Sequence, residues 1–322
     1  MIINWVSNSE YIPDFREIKC YNTVLTYFVK RTLEKRNIVV NLVLDDEKML
    51  KDMPNSDFTI LVSGKAHHLL KYHPDSWTTL NAKSKFGVFK LSDGPSRGLW
   101  KINKEGTLLQ PGCYTGFGCS PSWLYPEQVD IDKKIVFLNL WNHNLNFDKA
   151  SEEDRCAVEA IELIHKNFPV IVKSINHSFD FTKSLIDLEQ TKDEKEKDLR
   201  NSYIPWVEII PHYRQTHVLL DTTGHGVGLN AIESAACGSK LILHPKAVDA
   251  QLRSKGGADL LACDFTTWNN PNEIYDILCH VLESDVDYSK NSLNVHKQIS
   301  WDKFASRLLR GLEYYKQTTE GK

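Results

Sequence analysis

Short apolar runs alternate with helical patterns along this 322-residue chain, and the alternation starts twice. Ile2–Val6, Ile38–Leu44, Phe58–Val62 and Phe86–Leu91 are short runs carrying β-branched or aromatic residues, and they read as strands. Thr23–Lys35 reads as an amphipathic helix whose last turn is basic, which suits the negative end of the helix dipole. An irregular stretch full of Gly, Pro, Ser and aromatic residues follows at Gly112–Pro126. The pattern then restarts with "KIVFLNLW" at Lys134–Trp141, and Phe168–Val172, His217–Asp221 and Leu241–His244 read as further strands. Ser151 stands where a cap belongs, with Asp154 three residues on and Ala157, Ile161 and Ile164 on one helical face. Near the end, Trp301–Tyr315 sets Phe304, Leu308 and Leu312 on one stripe. Thr191–Arg200 is charge-dense and reads as a solvated helix face or loop.

Two successive β/α alternations predict an α/β fold of two doubly wound Rossmann-like domains facing a central cleft. The expected division is 1–125 for an N-terminal domain and 126–300 for a second domain. A C-terminal helix in 301–322 is expected to pack back on the first domain. In such sheets ligands sit outside the carboxyl ends of the strands, so the cleft is the default site. The net charge of −3 marks no general polyanion binder. Seven cysteines, odd in number and without a CxxC pair, argue for reduced thiols over a disulfide framework or a zinc site. The opening "MIINWVSNSEY" lacks the basic and apolar regions of a signal peptide, and no apolar run reaches membrane-spanning length. The expectation is a cytoplasmic protein.

The stretch "GHGVGLNAIESAACGSKLI", Gly224–Ile242, puts three glycines into five residues and then turns helical. Glycines permit left-handed backbone and remove Cβ atoms. The first amides of a helix are unsatisfied and favour an anion. A diphosphate could therefore dock on Gly226, Val227, Gly228, Leu229 and Asn230, and Glu233, one turn in, could accept the hydroxyls of a ribose. A glycine turn that serves packing alone is the other reading of the same residues.

"IIPHYRQTHVLLDTTGHGVGLNAIESAACGSKLI" resembles the nucleotide-sugar segment of GT-B glycosyltransferases, a helix with Tyr, a strand, Glu-Gly-x-Gly, then Glu-Ala-x-Ala-x-Gly. "HGVG" and "IESAACG" occupy the two motif elements, and "WDKFASRLLRGLEYY" resembles the family's C-terminal helix. The resemblance implies a nucleotide diphosphate sugar, UDP-glucose-like, as co-substrate, with Glu233 on the ribose. Many retaining members carry two acids eight residues apart. Here His225 holds the first place, which leaves it to hydrogen-bond the sugar or a phosphate and puts retaining chemistry in doubt.

"SKFGVFKLSDGPSRGLW" places Asp93 after a predicted strand, where a carboxylate could act as the base of an inverting transfer. Asp-Gly-Pro is equally a turn signal. The segment resembles the strand-then-Asp region of phage DNA-modifying β-glucosyltransferases, which implies the base role for Asp93. Gly64–Lys104 carries eight Lys and Arg against two Asp, with Trp77 and Trp100 interleaved, a pattern that suits a phosphate backbone or a solvated face. Lys90, Arg97 and Trp100 are the acceptor-side candidates. Lys173, with Lys149, Arg214 and Arg253, is a candidate cation for the leaving diphosphate. His143 and His177 are further cleft candidates, and Tyr213 reads as packing. Asp130–Asp132 mimics a metal-binding D-x-D but precedes its strand, so no tightly bound metal is expected.

These readings point to a glycosyltransferase moving a sugar from a UDP-sugar to a hydroxyl, with a hydroxymethylated base in DNA as the leading acceptor. A glycan or small-molecule acceptor, or a non-catalytic nucleotide-sugar-binding module, are the alternatives.

Overall fold

A computed structural model describes residues 1–7, 13–14, 17–18, 21–62, 74–91, 98–109, 112–127, 133–140, 151–174, 182–184, 205–224 and 226–320. The chain forms two compact units, Met1–Gly118 with Ile299–Lys322, and Cys119–Gln298.

The first unit holds β1 (Ile2–Ser7), α1 (Tyr21–Glu34), β2 (Val39–Leu44), α2 (Glu47–Asp52), β3 (Phe58–Leu61), α3 (Pro74–Ala82), β4 (Val88–Leu91), β5 (Gly98–Ile102) and β6 (Cys113–Tyr114). Its sheet runs β2-β1-β3-β4-β5-β6. The first four strands are parallel, β5 returns antiparallel to β4, and β6 pairs antiparallel with β5. Val6, Val43, Leu61, Val88 and Ile102 bury one face under Leu50, Met53, Trp77 and Leu80. The long C-terminal helix also belongs to this unit. Its Trp301 ring stacks on Phe28 at 5.0 Å, and its Tyr315 ring lies 5.0 Å from that of Phe89.

The second unit holds β7 (Lys134–Asn139), α4 (Glu152–Asn167), β8 (Val170–Ser174), β9 (Thr182–Ser184), α5 (Trp206–Gln215), β10 (Val218–Asp221), α6 (Leu229–Ala236), β11 (Lys240–Leu243), α7 (Pro245–Arg253), α8 (Gly257–Leu261), β12 (Phe265–Thr267), α9 (Ile274–Glu283) and α10 (Tyr288–Gln298). The C-terminal helix, α11, is Trp301–Glu320. The sheet order is β12-β11-β10-β7-β8-β9, with every pair parallel. Counted along this unit, that is the doubly wound order 3-2-1-4-5-6, whose direction reverses between β7 and β10.

Both faces of this sheet are covered at its centre, so β7, β10 and β11 are near-continuous apolar runs rather than alternating with polar residues. Val136, Leu138, Val218 and Leu220 face Ala157, Ile161 and Ile164 of α4 and Leu278 and Val281 of α9. Successive strand residues point to opposite faces, and Phe137 meets Tyr213 of α5 at 5.5 Å. Ser151 caps α4 as its sequence predicts, its hydroxyl accepting from the Asp154 amide at 3.1 Å. No helix among the described residues is long and apolar enough to cross a membrane.

Candidate functional site

The switch point of the second sheet lies where β7 and β10 run side by side, with Asn139 paired to Asp221 at their carboxyl ends. The chain leaving β10 there is the glycine turn. Asp221 folds it over: its carboxylate accepts from the Thr223 amide at 2.8 Å and the Thr223 hydroxyl at 2.6 Å. Burial pushes the Asp221 carboxyl up, and the Thr223 donors pull against that shift. The Thr222 amide donates to the Asn139 carbonyl at 3.0 Å, and the Thr222 hydroxyl donates to Asp154 in the first turn of α4. The turn is thereby tied to both neighbouring elements.

Gly226 has φ +145°, a conformation that side chains disfavour. Gly228 then caps α6 with no side-chain hydrogen bond to the first turn. Among the described residues a Cβ built on Gly228 meets nothing within 4 Å. No described side chain caps these amides or fills the space beside Gly228, which is the arrangement an anion needs. Gly226, Gly228, Leu229 and Asn230 are all half-buried, and Val227 is buried. Structure thus brings these candidates together at the switch point; His225, in the same turn, lies outside the described residues.

Glu233 is buried, at 4% exposure. Its Oε1 accepts from the Trp206 indole N–H at 2.5 Å, across α6 to the first residue of α5. Burial raises the carboxyl to about 8, with the indole hydrogen bond opposing the rise. Glu233 is therefore mostly protonated at neutral pH in the ligand-free protein.

Lys173 stands elsewhere. It lies on β8, on the far side of β7 from the turn. Its Nζ is 3.2 Å from His212 Nδ1 and 3.4 Å from Gln215 Oε1 on α5. Arg214 donates to the Trp123 carbonyl at 2.8 Å and covers the Tyr125 ring at 4.0 Å. Arg253 pairs with Asp249 on the surface. Tyr213 is buried against Phe137, as its apolar helix face predicts. In the first unit, Lys90 and Trp100 sit directly opposite each other on β4 and β5. One face of the Trp100 ring lies against the Gly112 backbone, so close that a Cβ there would come within 2.6 Å. Trp77 offers no stacking face: it is buried and its indole donates to the Lys104 carbonyl at 2.6 Å. Lys83 donates to the Lys51 and Met53 carbonyls at the end of α2. Asp93, Arg97, His143, Lys149, His177 and Asp130–Asp132 lie outside the described residues. Among the described residues no group of three or more His, Cys, Asp and Glu is placed to hold a metal ion.

Sequence reasoning passed over His244 and its partners. His244 follows β11, and its Nδ1 accepts from the Lys246 amide at 3.0 Å, capping α7. That bond leaves the proton on Nε2, 3.4 Å from Glu153 Oε1. Glu153's own amide hydrogen bond holds its carboxyl low, and His244 adds to the effect. The His244 ring also stands about where a Gly224 side chain would reach, 3.5 Å from the built Cβ. The signal for Asp221 and His244 was positional: both stand at carboxyl ends of strands that flank the switch point.

No family model and no curated sequence matches the chain. Solved structures do. AviGT4, a glycosyltransferase involved in avilamycin A biosynthesis, is similar at a TM-score of 0.57 and 10% identity, with 97% of each chain covered. A sucrose-phosphate synthase from Thermosynechococcus elongatus gives 0.55 and 11% identity with both chains fully covered. The Anabaena protein HepE, in complex with UDP and glucose, gives 0.52 and 10% identity, covering 98% of this chain and 100% of its own. The likeness is one of fold, the pair of Rossmann-like units of GT-B glycosyltransferases.

Proposed function

We propose that the chain is a glycosyltransferase that takes a sugar from a nucleotide diphosphate sugar, UDP-glucose-like, and passes it to a hydroxyl acceptor. The observation that carries this reading is the coincidence of the switch point with the uncapped, glycine-led start of α6. In the proposed complex the amides of Gly226–Asn230 receive the diphosphate, and Glu233 receives ribose hydroxyls. The UDP bound by HepE, a protein of the same fold, supports uridine as the nucleoside. Catalysis needs a proton acceptor and stabilisation of the departing diphosphate. Helix amides supply the second at no cost of reorganisation. Asp93, two residues past the end of β4, is proposed as the base of an inverting transfer.

The DNA acceptor rests on the basic residues between Gly64 and Lys104. Lys83 and Trp77 are engaged in packing, so this surface keeps Lys90, Arg97 and Trp100 as its proposed contacts.

The test is a transfer screen with UDP-glucose against hydroxymethylated DNA and simple glycosides, read as UDP release and product mass. Product with one acceptor class and none with the other assigns the acceptor. Glu233→Ala is expected to lose UDP-glucose affinity by tenfold or more, roughly the 1.4 kcal/mol of one good hydrogen bond to a charged group. Asp93→Asn should keep that affinity and lose turnover. Unaltered nucleotide affinity in Glu233→Ala would remove the ribose assignment, and an active Asp93→Asn enzyme would remove the base.

A further inference from the structure

The hydrogen bond between α5 and α6 has a consequence for the donor site. Trp206 opens α5 and is 6% exposed, and its Nε1 lies 2.5 Å from Glu233 Oε1. A carboxylate has two oxygens and a rotatable terminal torsion; a short bond to a buried indole fixes both which oxygen is engaged and how the group is turned. We propose that Trp206 is a positioning residue of the donor site, which holds one Glu233 oxygen so that the other is presented to the ribose hydroxyls. This rests on the reading of Glu233 as the ribose ligand.

Trp206 acts on Glu233 electrically as well as sterically. A donor favours the charged carboxylate, and so does a ribose diol that donates to it. Indole and nucleotide therefore work in the same direction, and binding expels the proton that Glu233 holds at neutral pH. UDP-glucose affinity in the wild type should rise with pH and level off near pH 8, where the free carboxyl is already charged.

Among the described residues, the other groups near Glu233 leave this window clear. Cys119, Tyr213 of α5 and Cys237 at the end of α6 feel the Glu233 charge, and burial pushes all three upward. His296, on α10 against α6, is lowered by burial, away from this window. Asp221 on β10, although raised, starts from the ordinary carboxylate range.

The experiment measures UDP-glucose affinity from pH 6 to pH 9.5 in the wild type, Glu233→Gln and Trp206→Phe. Trp206→Phe removes the N–H and keeps a ring. Its break should move up by roughly one pH unit, with binding at least about tenfold weaker at pH 7 and still several-fold weaker above pH 9, where the charged carboxylate is no longer held in one orientation. Glu233→Gln should bind with no break. Wild-type binding by Trp206→Phe above pH 9, or an unmoved break, overturns the positioning role. UDP-glucose affinity in Glu233→Gln that matches the wild type at every pH overturns the donor reading and this inference with it. Should the smaller ring unfold the chain, benzothienylalanine at position 206 keeps the indole's shape without its N–H and faces the same criteria.

Discussion

Glu233→Gln is expected to make the ligand-free protein more stable than the wild type at pH 8 and indistinguishable from it near pH 4.5. In the folded chain the Glu233 carboxyl titrates at about 8, against an ordinary 4.5 once unfolding exposes it. Between those values the folded state holds a proton that the unfolded state has released. Raising the pH through this window therefore favours unfolding, by up to about 1.4 kcal/mol per unit. Across the whole window the loss is roughly 5 kcal/mol at most, and structural relaxation around the charged group reduces it. Below 4.5 both states carry the proton, and above 8 neither does, so the curve is flat at both ends. Glutamine has no proton to lose and keeps an oxygen for the Trp206 indole. Denaturant unfolding of both proteins at several pH values checks this, with the difference between the curves as the readout. Parallel curves from pH 5 to pH 8 would mean that Glu233 is ionised in the fold throughout. If the difference appears, the protein tolerates an unfavourable carboxyl that fold stability alone does not call for, which is the usual mark of a functional group.

The residues that sequence reasoning reads well are those governed by local rules. The Ser151 cap, the apolar face of α4 and the packing of Tyr213 each follow from neighbours within a turn or two of the chain. Strand identity was legible for the same reason at the centre of the second sheet, where β7, β10 and β11 are plain apolar runs, and not at its edges, where β9 and β12 carry Thr, Lys and Ser. Strand order was not. The position of β7 beside β10 joins residues about eighty apart in sequence, and that pairing alone places the glycine turn at the switch point. Burial of polar groups was hidden too. Nothing in "IESAACG" tells that the Glu233 carboxyl turns toward Trp206, and nothing near Trp77 tells that its indole meets the Lys104 carbonyl. The return strand β5 also went unread, since Gly98 and the half-buried Lys101 break the apolar pattern that marks the central parallel strands.

The two glycines that bracket α6 should respond oppositely to the same substitution. Gly238→Ala is expected to unfold the second unit under mild conditions, whereas Gly228→Ala should fold normally and lose the nucleotide. Gly238 ends the helix in a Schellman motif: its amide donates to the Ala235 carbonyl at 2.8 Å, and the Ser239 amide donates to the Ser234 carbonyl at 3.1 Å. Its φ of +94° costs an alanine about 1–2 kcal/mol. The added methyl would also lie 2.3 Å from the Tyr288 carbonyl oxygen, backbone that cannot rotate aside, which adds about 1–3 kcal/mol of overpacking. A total of roughly 2–5 kcal/mol is a large part of the stability of an ordinary domain. Gly228 has an ordinary φ of −78° and an open surrounding, so alanine there loses only the small advantage of glycine at a cap. Its methyl would enter the space before the α6 amides, where the diphosphate is proposed to sit, and should weaken UDP-glucose binding by tenfold or more. Thermal melts followed by titration separate the two effects. A Gly228→Ala protein that binds UDP-glucose like the wild type would place the diphosphate elsewhere, and a stable Gly238→Ala protein would show that the start of α10 can shift away from the helix end. The final glycine of "IESAACG" is thus required by the backbone, and the glycine before the helix by what docks there.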